Sequence, residues 1–384
     1  MNDIVETLES ERGAMEEWFE HLHRNPELSM REDNTARFLA DTVRAWGYEV
    51  ETGIGKHGIV ASLKVGDGDR VIGLRADFDA LPIQEVNDLP YKSQVDGVAH
   101  LCGHDGHSTM LLAAGKYLAE TKNFNGTVRL IFQPGEETME GGPAMITDGL
   151  FERFPVDAVF GMHNMPGLEL GTLYFADGDV MAAVDNWEIE LTGKGGHGSM
   201  PELSIDPVVA GASLVMALQT IISRNVAPAN SAVVTIGAFQ SGSAGNVIAQ
   251  SAILRLSIRT RTAADRELVL NRVRTLTRAQ AEGYGCSYEI REGVPGAVLT
   301  NDTEETRKAY EIARETFGDR AIYPGPTFLG SEDFAFMLQE RPGNYCFIGN
   351  GDTPMVHHPH FVLNREILPR GAAYWVALTE SYLR

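Results

Sequence analysis

The chain has 384 residues, 43% of them hydrophobic and 22% charged, and a formal net charge of −21 at pH 7. That length exceeds the roughly 250–300 residues at which a single core stops growing, so two domains are expected. The acidic excess argues against nucleic acid or anionic membrane as partners, because its field repels polyanions. The first ten residues are acidic and lack the basic and apolar regions of a signal peptide. No run approaches the roughly 20 apolar residues of a membrane span. Three cysteines (Cys102, Cys286, Cys346) are too few for a disulfide framework and fit a reducing cytoplasm.

In chain order, Ile4, Leu8, Met15, Phe19 and Leu22 recur at helical intervals before Pro26 and read as an amphipathic packing helix. A second helix is expected from Glu32 to Trp46, stopped by Gly47. Val60 to Val65 and Arg70 to Ala76 read as strands. The second runs into Asp77-Phe78-Asp79-Ala80-Leu81-Pro82, where two carboxylates two residues apart share one side of extended backbone.

Ala99 to His107 then reads Ala-His-Leu-Cys-Gly-His-Asp-Gly-His, with one thiol, three imidazoles and a carboxylate in nine residues. Gly103 lets the backbone fold tightly enough for Cys102 and His104 to aim at one cation or at two adjacent ones, and both are good ligands for zinc-like ions. A helix from Ser108 to Glu120 follows, so the cluster sits at a helix N-terminus, where the dipole is expected to favour a thiolate. The strand Gly126 to Gln133 ends in Pro134-Gly135-Glu136-Glu137, a pair in which one carboxylate can hold a metal while the other faces a water. After a helix over Gly142 to Gly149, the strand Asp157 to His163 delivers His163. Alternating strands and helices predict a doubly wound α/β sheet, in which ligands gather beyond the carboxyl ends of strands. Asp79, Glu136, Glu137 and His163 all fall at such ends.

From Ala183 to Pro295 the order strand, helix, strand, strand, helix, strand is that of a ferredoxin-like α+β unit. An inserted second domain is therefore expected at 183–295, with the catalytic domain made of 1–182 and 296–384. The insert carries a glycine loop with His197 and a second turn with Asn246, which tolerates left-handed backbone or donates to a substrate. After it the α/β pattern resumes, and Val356-His357-His358-Pro359-His360-Phe361 offers a last ligand. The final stretch, Ile367 to Leu383, is expected to be a helix docked on the first domain.

Taken together, Asp77-x-Asp79-Ala-Leu-Pro, His-x-Cys102-Gly-His104-Asp-Gly-His, Gln-Pro-Gly-Glu136-Glu137, Gly-x-His163, Gly-Gly-His197, Gly-Asn246-Val-Ile and His357-x-Pro-x-Phe361 resemble the aminoacylase and carboxypeptidase family of binuclear metal amidohydrolases. The nearer likeness is to the branch of hippurate hydrolases, N-acetyl-diaminopimelate deacetylases and auxin-conjugate hydrolases, and it covers nearly the whole chain in order. The resemblance implies a doubly wound mixed-sheet catalytic domain with an inserted lid and dimerisation domain. It implies two divalent cations, zinc or manganese before cobalt or nickel, held by Cys102, His104, Glu137, His163 and His357. Glu136 is the implied base and Asp79 the support of a ligand. His197 is the implied oxyanion donor, reaching across a homodimer and assisted by Asn246, and Arg259 is a candidate for gripping the substrate carboxylate. Asp77 stands where the wider family has a ligating His, and His358 beside His357 leaves the last ligand open between the two. The implied reaction is hydrolysis of N-acyl amino acids. A dipeptidase or carboxypeptidase of the same fold and a non-catalytic metal-dependent binding module are the alternatives.

Overall fold

The computed structural model describes residues 2–384, which fold into two compact units. The first comprises Met1–Gly178, Thr300–Thr327 and Asp333–Arg384, and the second Asp179–Leu299 and Phe328–Glu332. Residues 328–332, which the sequence reading leaves in the first unit, are drawn into the second by backbone bonds from Phe328 to Val180 and from Ala182 to Gly330.

The first unit is built on a mixed eight-stranded sheet in the order Glu49–Ile54, Gly58–Val65, Gly126–Gln133, Val71–Asp77, Ala158–Met165, Gly343–Gly349, Leu173–Tyr174, Ala321–Ile322. Its four central strands, Gly126–Gln133 to Gly343–Gly349, are mutually parallel. Neighbouring residues of a strand point to opposite faces. Phe160 meets Tyr382 of the helix Leu368–Tyr382, whereas next to it Gly161 lies against Phe334, at the start of the helix Phe334–Glu340. Helices therefore cover both faces, the doubly wound arrangement expected. The helix Leu368–Tyr382 is buried along almost its whole length and packs on the helix His104–Thr121.

One expectation changes and one central strand was missed. The first helix is two helices, Asn2–Ser10 and Arg12–Arg24. The central strand Gly343–Gly349 goes unread in the sequence because it is buried on both faces and shows no alternation.

The second unit is an antiparallel sheet in the order Ala232–Ser241, Ser251–Thr260, Ala183–Thr192, Ser287–Glu292, packed against the helices Pro207–Arg224 and Ala263–Gly283. Leu254, Leu256 and Ile258 alternate into its core, where they join Leu214, Leu218, Val269 and Val273. Pro207–Arg224 is, among the described helices, long and apolar enough to suit a bilayer, with mean hydropathy 1.3. Its Ala210, Leu214, Leu218 and Ile221 are nevertheless buried in this core.

Candidate metal centre

The parallel strands of the first unit bring their carboxyl ends, and the donors beyond them, to one place. Asp77 closes Val71–Asp77, Glu136 and Glu137 follow Gly126–Gln133, and His163 lies near the end of Ala158–Met165. The loop after Gly343–Gly349 adds His357, whose backbone N–H donates to Leu101 O at 2.7 Å, next to Cys102. Its backbone is left-handed, with φ of 67°, and its half-exposed ring places Nε2 3.2 Å from Glu137 Oε2. His358 instead stacks on His360, with ring centroids 5.6 Å apart.

Ligand atoms of Cys102, His104 and His163 lie within 4.8 Å of one another, as do those of Cys102, Glu137 and His357. Cys102 belongs to both triads. A third group joins His104 to Glu136 and Glu137. Cys102 Sγ and His163 Nε2 are 3.3 Å apart, and His163 Nδ1 donates to Asn164 O, which turns the lone pair of Nε2 toward the thiol. Burial first, then the neighbouring His107 and His104, hold His163 well below the usual imidazole range, so it is neutral as a ligand must be.

His104 Nε2 and Glu137 Oε1 are both buried, neither has a hydrogen-bond partner, and they stand 3.9 Å apart. Two ligands each about 2.1 Å from one cation lie roughly 3–4 Å apart, so this donor set fits a metal. Burial alone would depress His104, but Asp77, Asp79 and Glu137 outweigh it and lift the imidazole to about 10. Burial, reinforced by Glu137 and Glu136, raises the Cys102 thiol well above its usual range. In the metal-free chain the helix end alone therefore does not ionise the thiol. Cys102 is buried before the helix His104–Thr121 begins, and desolvation outweighs the dipole.

Asp79 is engaged from three sides. Oδ1 takes His104 Nδ1 at 3.0 Å, while Oδ2 takes Ser29 Oγ at 2.6 Å and Glu137 N at 3.0 Å. Asp77 pairs with His107 Nδ1 at 2.6 Å and with Arg75 Nη1 at 2.7 Å, so both of its oxygens are occupied. Arg75, 1% exposed, also reaches Gln133 at 2.9 Å and Asp333 at 3.2 Å. Arg75→Met leaves two buried carboxylates without their cation and is expected to cost about 3–5 kcal/mol. Urea unfolding at unchanged m measures this, and a loss under about 1 kcal/mol would contradict the compensating role.

Asp105 points away from the cluster to His23 Nδ1 at 2.7 Å, whose Nε2 lies 3.3 Å from Glu85. Burial opposes charge on His23, yet these two carboxylates lift it to about 9. His23 interrupts an apolar face formed by Met15, Phe19 and Leu22, all buried. That interruption was the available sign that this helix does more than pack. Ser29 and Glu32 were likewise unread.

His197 and Asn246 lie together within the second unit. His197 pairs with Val247 in a two-residue ladder, and Gly198 N donates to Asn246 O at 2.8 Å. His197 is exposed, and its Nδ1 is 2.8 Å from Ser199 Oγ. Arg259 sits near the far end of Ser251–Thr260 and donates to Leu329 O at 2.8 Å. Gly193, by contrast, bonds Gln250 beside the near end. Eight residues of strand separate these ends by about 26 Å.

Residues 73–381 match the family model for Peptidase family M20/M25/M40, and the chain belongs to that family. It is 43% identical over 385 residues to a hippurate hydrolase of Campylobacter jejuni, covering 100% of both chains. It is 35% identical over 355 residues to an N-acetyl-L-cysteine deacetylase of Bacillus subtilis, covering 92% of this chain and 84% of that one. Among solved structures, a dinuclear metal binding peptidase of the M20 family from Bacillus subtilis superposes with a TM-score of 0.84 at 32% identity, covering 98% and 99%.

Proposed function

We propose that this protein is a metal-dependent amidohydrolase that cleaves N-acyl amino acids, of hippurate or N-acetyl type, to a carboxylate and a free amino acid. The observation that carries this reading is the pair of orphaned buried donors, His104 Nε2 and Glu137 Oε1, with Glu136 Oε2 3.9 Å from the same imidazole nitrogen. Full-length similarity to a hippurate hydrolase and to an N-acetyl-L-cysteine deacetylase supports the substrate class.

In this reading Cys102, His104, Glu137, His163 and His357 hold two divalent cations, zinc or manganese. When bound, the cations supply Lewis-acid polarisation of the scissile carbonyl and a more acidic water. Glu136 accepts the proton of the attacking water and returns it to the leaving amine. Asp79 fixes the His104 tautomer and, through Glu137 N, the turn that carries the base. His197 and Asn246 donate to the developing oxyanion, and Arg259 grips the substrate carboxylate, for which a guanidinium fork is suited.

His197 belongs to the loops beyond the Ser251 end of this strand and Arg259 to its other end, and the roughly 26 Å of strand between those ends argues against one chain presenting both to one small substrate. This supports a homodimer in which each copy supplies one of them. The surface available for it is the edge strand Ala232–Ser241 and the neighbouring helix Pro207–Arg224, which expose Val233, Phe239, Val208, Val209 and Met216. The dimer would form in the cytoplasm, where free Cys102 stays reduced.

The test is a panel of N-benzoyl and N-acetyl amino acids set beside free dipeptides, assayed after metal removal and reconstitution with single metals. Faster turnover of dipeptides would overturn the substrate assignment. Mixing Glu136→Gln with His197→Ala subunits is expected to restore up to about a quarter of wild-type activity, because one composite site per heterodimer regains both groups. No recovery after verified subunit exchange would remove the shared site.

A further inference from the structure

Glu32 is fully buried at the position preceding the helix Asp33–Ala45, yet its carboxylate makes no capping bond to that helix. Glu27 does so instead, accepting from Asn34 N at 2.9 Å and Thr35 N at 2.8 Å. The Glu32 side chain turns inward, and one oxygen, Oε1, accepts both Met30 N and Gly135 N at 2.9 Å. The other oxygen is buried with no hydrogen-bond partner. Burying a carboxylate that its own helix does not use is costly, so its contact with the turn needs a reason.

Gly135 immediately precedes Glu136. Its φ of +60° is left-handed, and a Cβ there would lie 2.6 Å from Met30 Sδ, so the turn is pressed against the Met30 segment. Gly135 O receives Glu140 N and Gly141 N, and Glu136 O receives Met139 N at 2.8 Å, which closes the turn on itself. Outside the turn, the backbone N–H leading into Glu136 is anchored by Glu32. We propose that Glu32 is a positioning residue: by holding Gly135 N it sets the angle at which Glu136 meets the water and the leaving amine. This rests on the role assigned above to Glu136.

The charge acting on the Glu32 carboxyl is that of Asp79, and the Lys56 and His57 side chains bond Met30 O beside it. Burial, then the charge of Asp79, lifts the Glu32 carboxyl to about 7. Its neutral form and a glutamine present the same acceptor, which makes glutamine the informative replacement.

The experiment compares full-length, manganese-loaded wild type, Glu32→Ala, Glu32→Gln and Glu32→Asp by amide hydrogen exchange of the 134–141 segment, metal content, and kcat and KM on N-benzoylglycine. In Glu32→Ala, exchange is expected to rise at least about tenfold in that segment and not in the segment around Cys102. Its kcat is expected to fall by about 10- to 100-fold, with KM and metal content unchanged, as follows from a base displaced by a fraction of an ångström. Glutamine should rescue exchange and kcat to within about threefold. The proposal is overturned if alanine leaves exchange and kcat at wild-type values, or if glutamine is as damaging as alanine. Should the alanine variant not fold, the shorter aspartate against glutamine makes the same comparison. If wild type turns over no N-acyl amino acid, the reaction assignment fails, while the exchange pattern still decides whether Glu32 holds the turn.

Discussion

Glu136→Gln is expected to lower kcat on N-benzoylglycine by about 10²–10⁴-fold while bound metal stays at two ions per chain. The amide keeps the size of the side chain and loses the one property the reaction uses, a basic oxygen that takes a proton from water and gives it to the leaving nitrogen. Metal content is the discriminating control, because the five proposed ligands do not include Glu136. Elemental analysis beside steady-state kinetics separates the outcomes. Loss of metal together with activity would make Glu136 a ligand, and retained activity would remove it from the chemistry. The neighbour gives the converse: Glu137 Oε1 is a buried acceptor without a partner, so Glu137→Gln should cost metal affinity first.

The second large effect is the coupling of metal uptake to protons. In the metal-free chain His104 holds its proton up to about 10, and Cys102 stays protonated well above its usual range. Both must lose that proton to act as ligands. Below these values the protonated form competes with the cation, so affinity rises with pH and falls as the solution is acidified. With two protons displaced, the apparent affinity should change by up to about 100-fold per pH unit between pH 6 and 8. Calorimetric titration with manganese in two buffers of different ionisation enthalpy reads the proton count directly. Uptake without proton release would mean that the imidazole and thiol are not the donors. Stripping the metal with a chelator should abolish turnover, and adding back a single metal should restore it.

Much of this centre was legible because its donors stand where strand periodicity stops. Glu136 and Glu137 follow the strand Gly126–Gln133, Asp79 follows Val71–Asp77, and in both cases an apolar run ending in acids marked the carboxyl edge of a sheet. His357 was legible only through its spacing to Pro359 and Phe361. What brings it to Glu137 is a left-handed backbone and a bond to Leu101, neither of which has a periodic signature. How strongly burial opposes ionisation of Cys102 in the metal-free chain was not legible, because a helix N-terminus is visible in sequence and depth of burial is not. The roles of Ser29 and Glu32 were hidden for a related reason. They belong to an unremarkable turn before a helix, and their partners, Asp79 and Gly135, lie 50 and 103 residues away.

Cys102 and His104 are the only two proposed ligands separated by a single residue, and the others are scattered from Glu137 to His357. A disordered chain of this sequence has nothing comparable to offer a cation, so affinity for the ion is also resistance to unfolding. At a free concentration 100 times the dissociation constant, one bound ion adds about 2.7 kcal/mol to the native state. Metal scarcity in a cell would then act on this protein twice, silencing individual molecules and, through faster turnover of those that open, reducing how many there are.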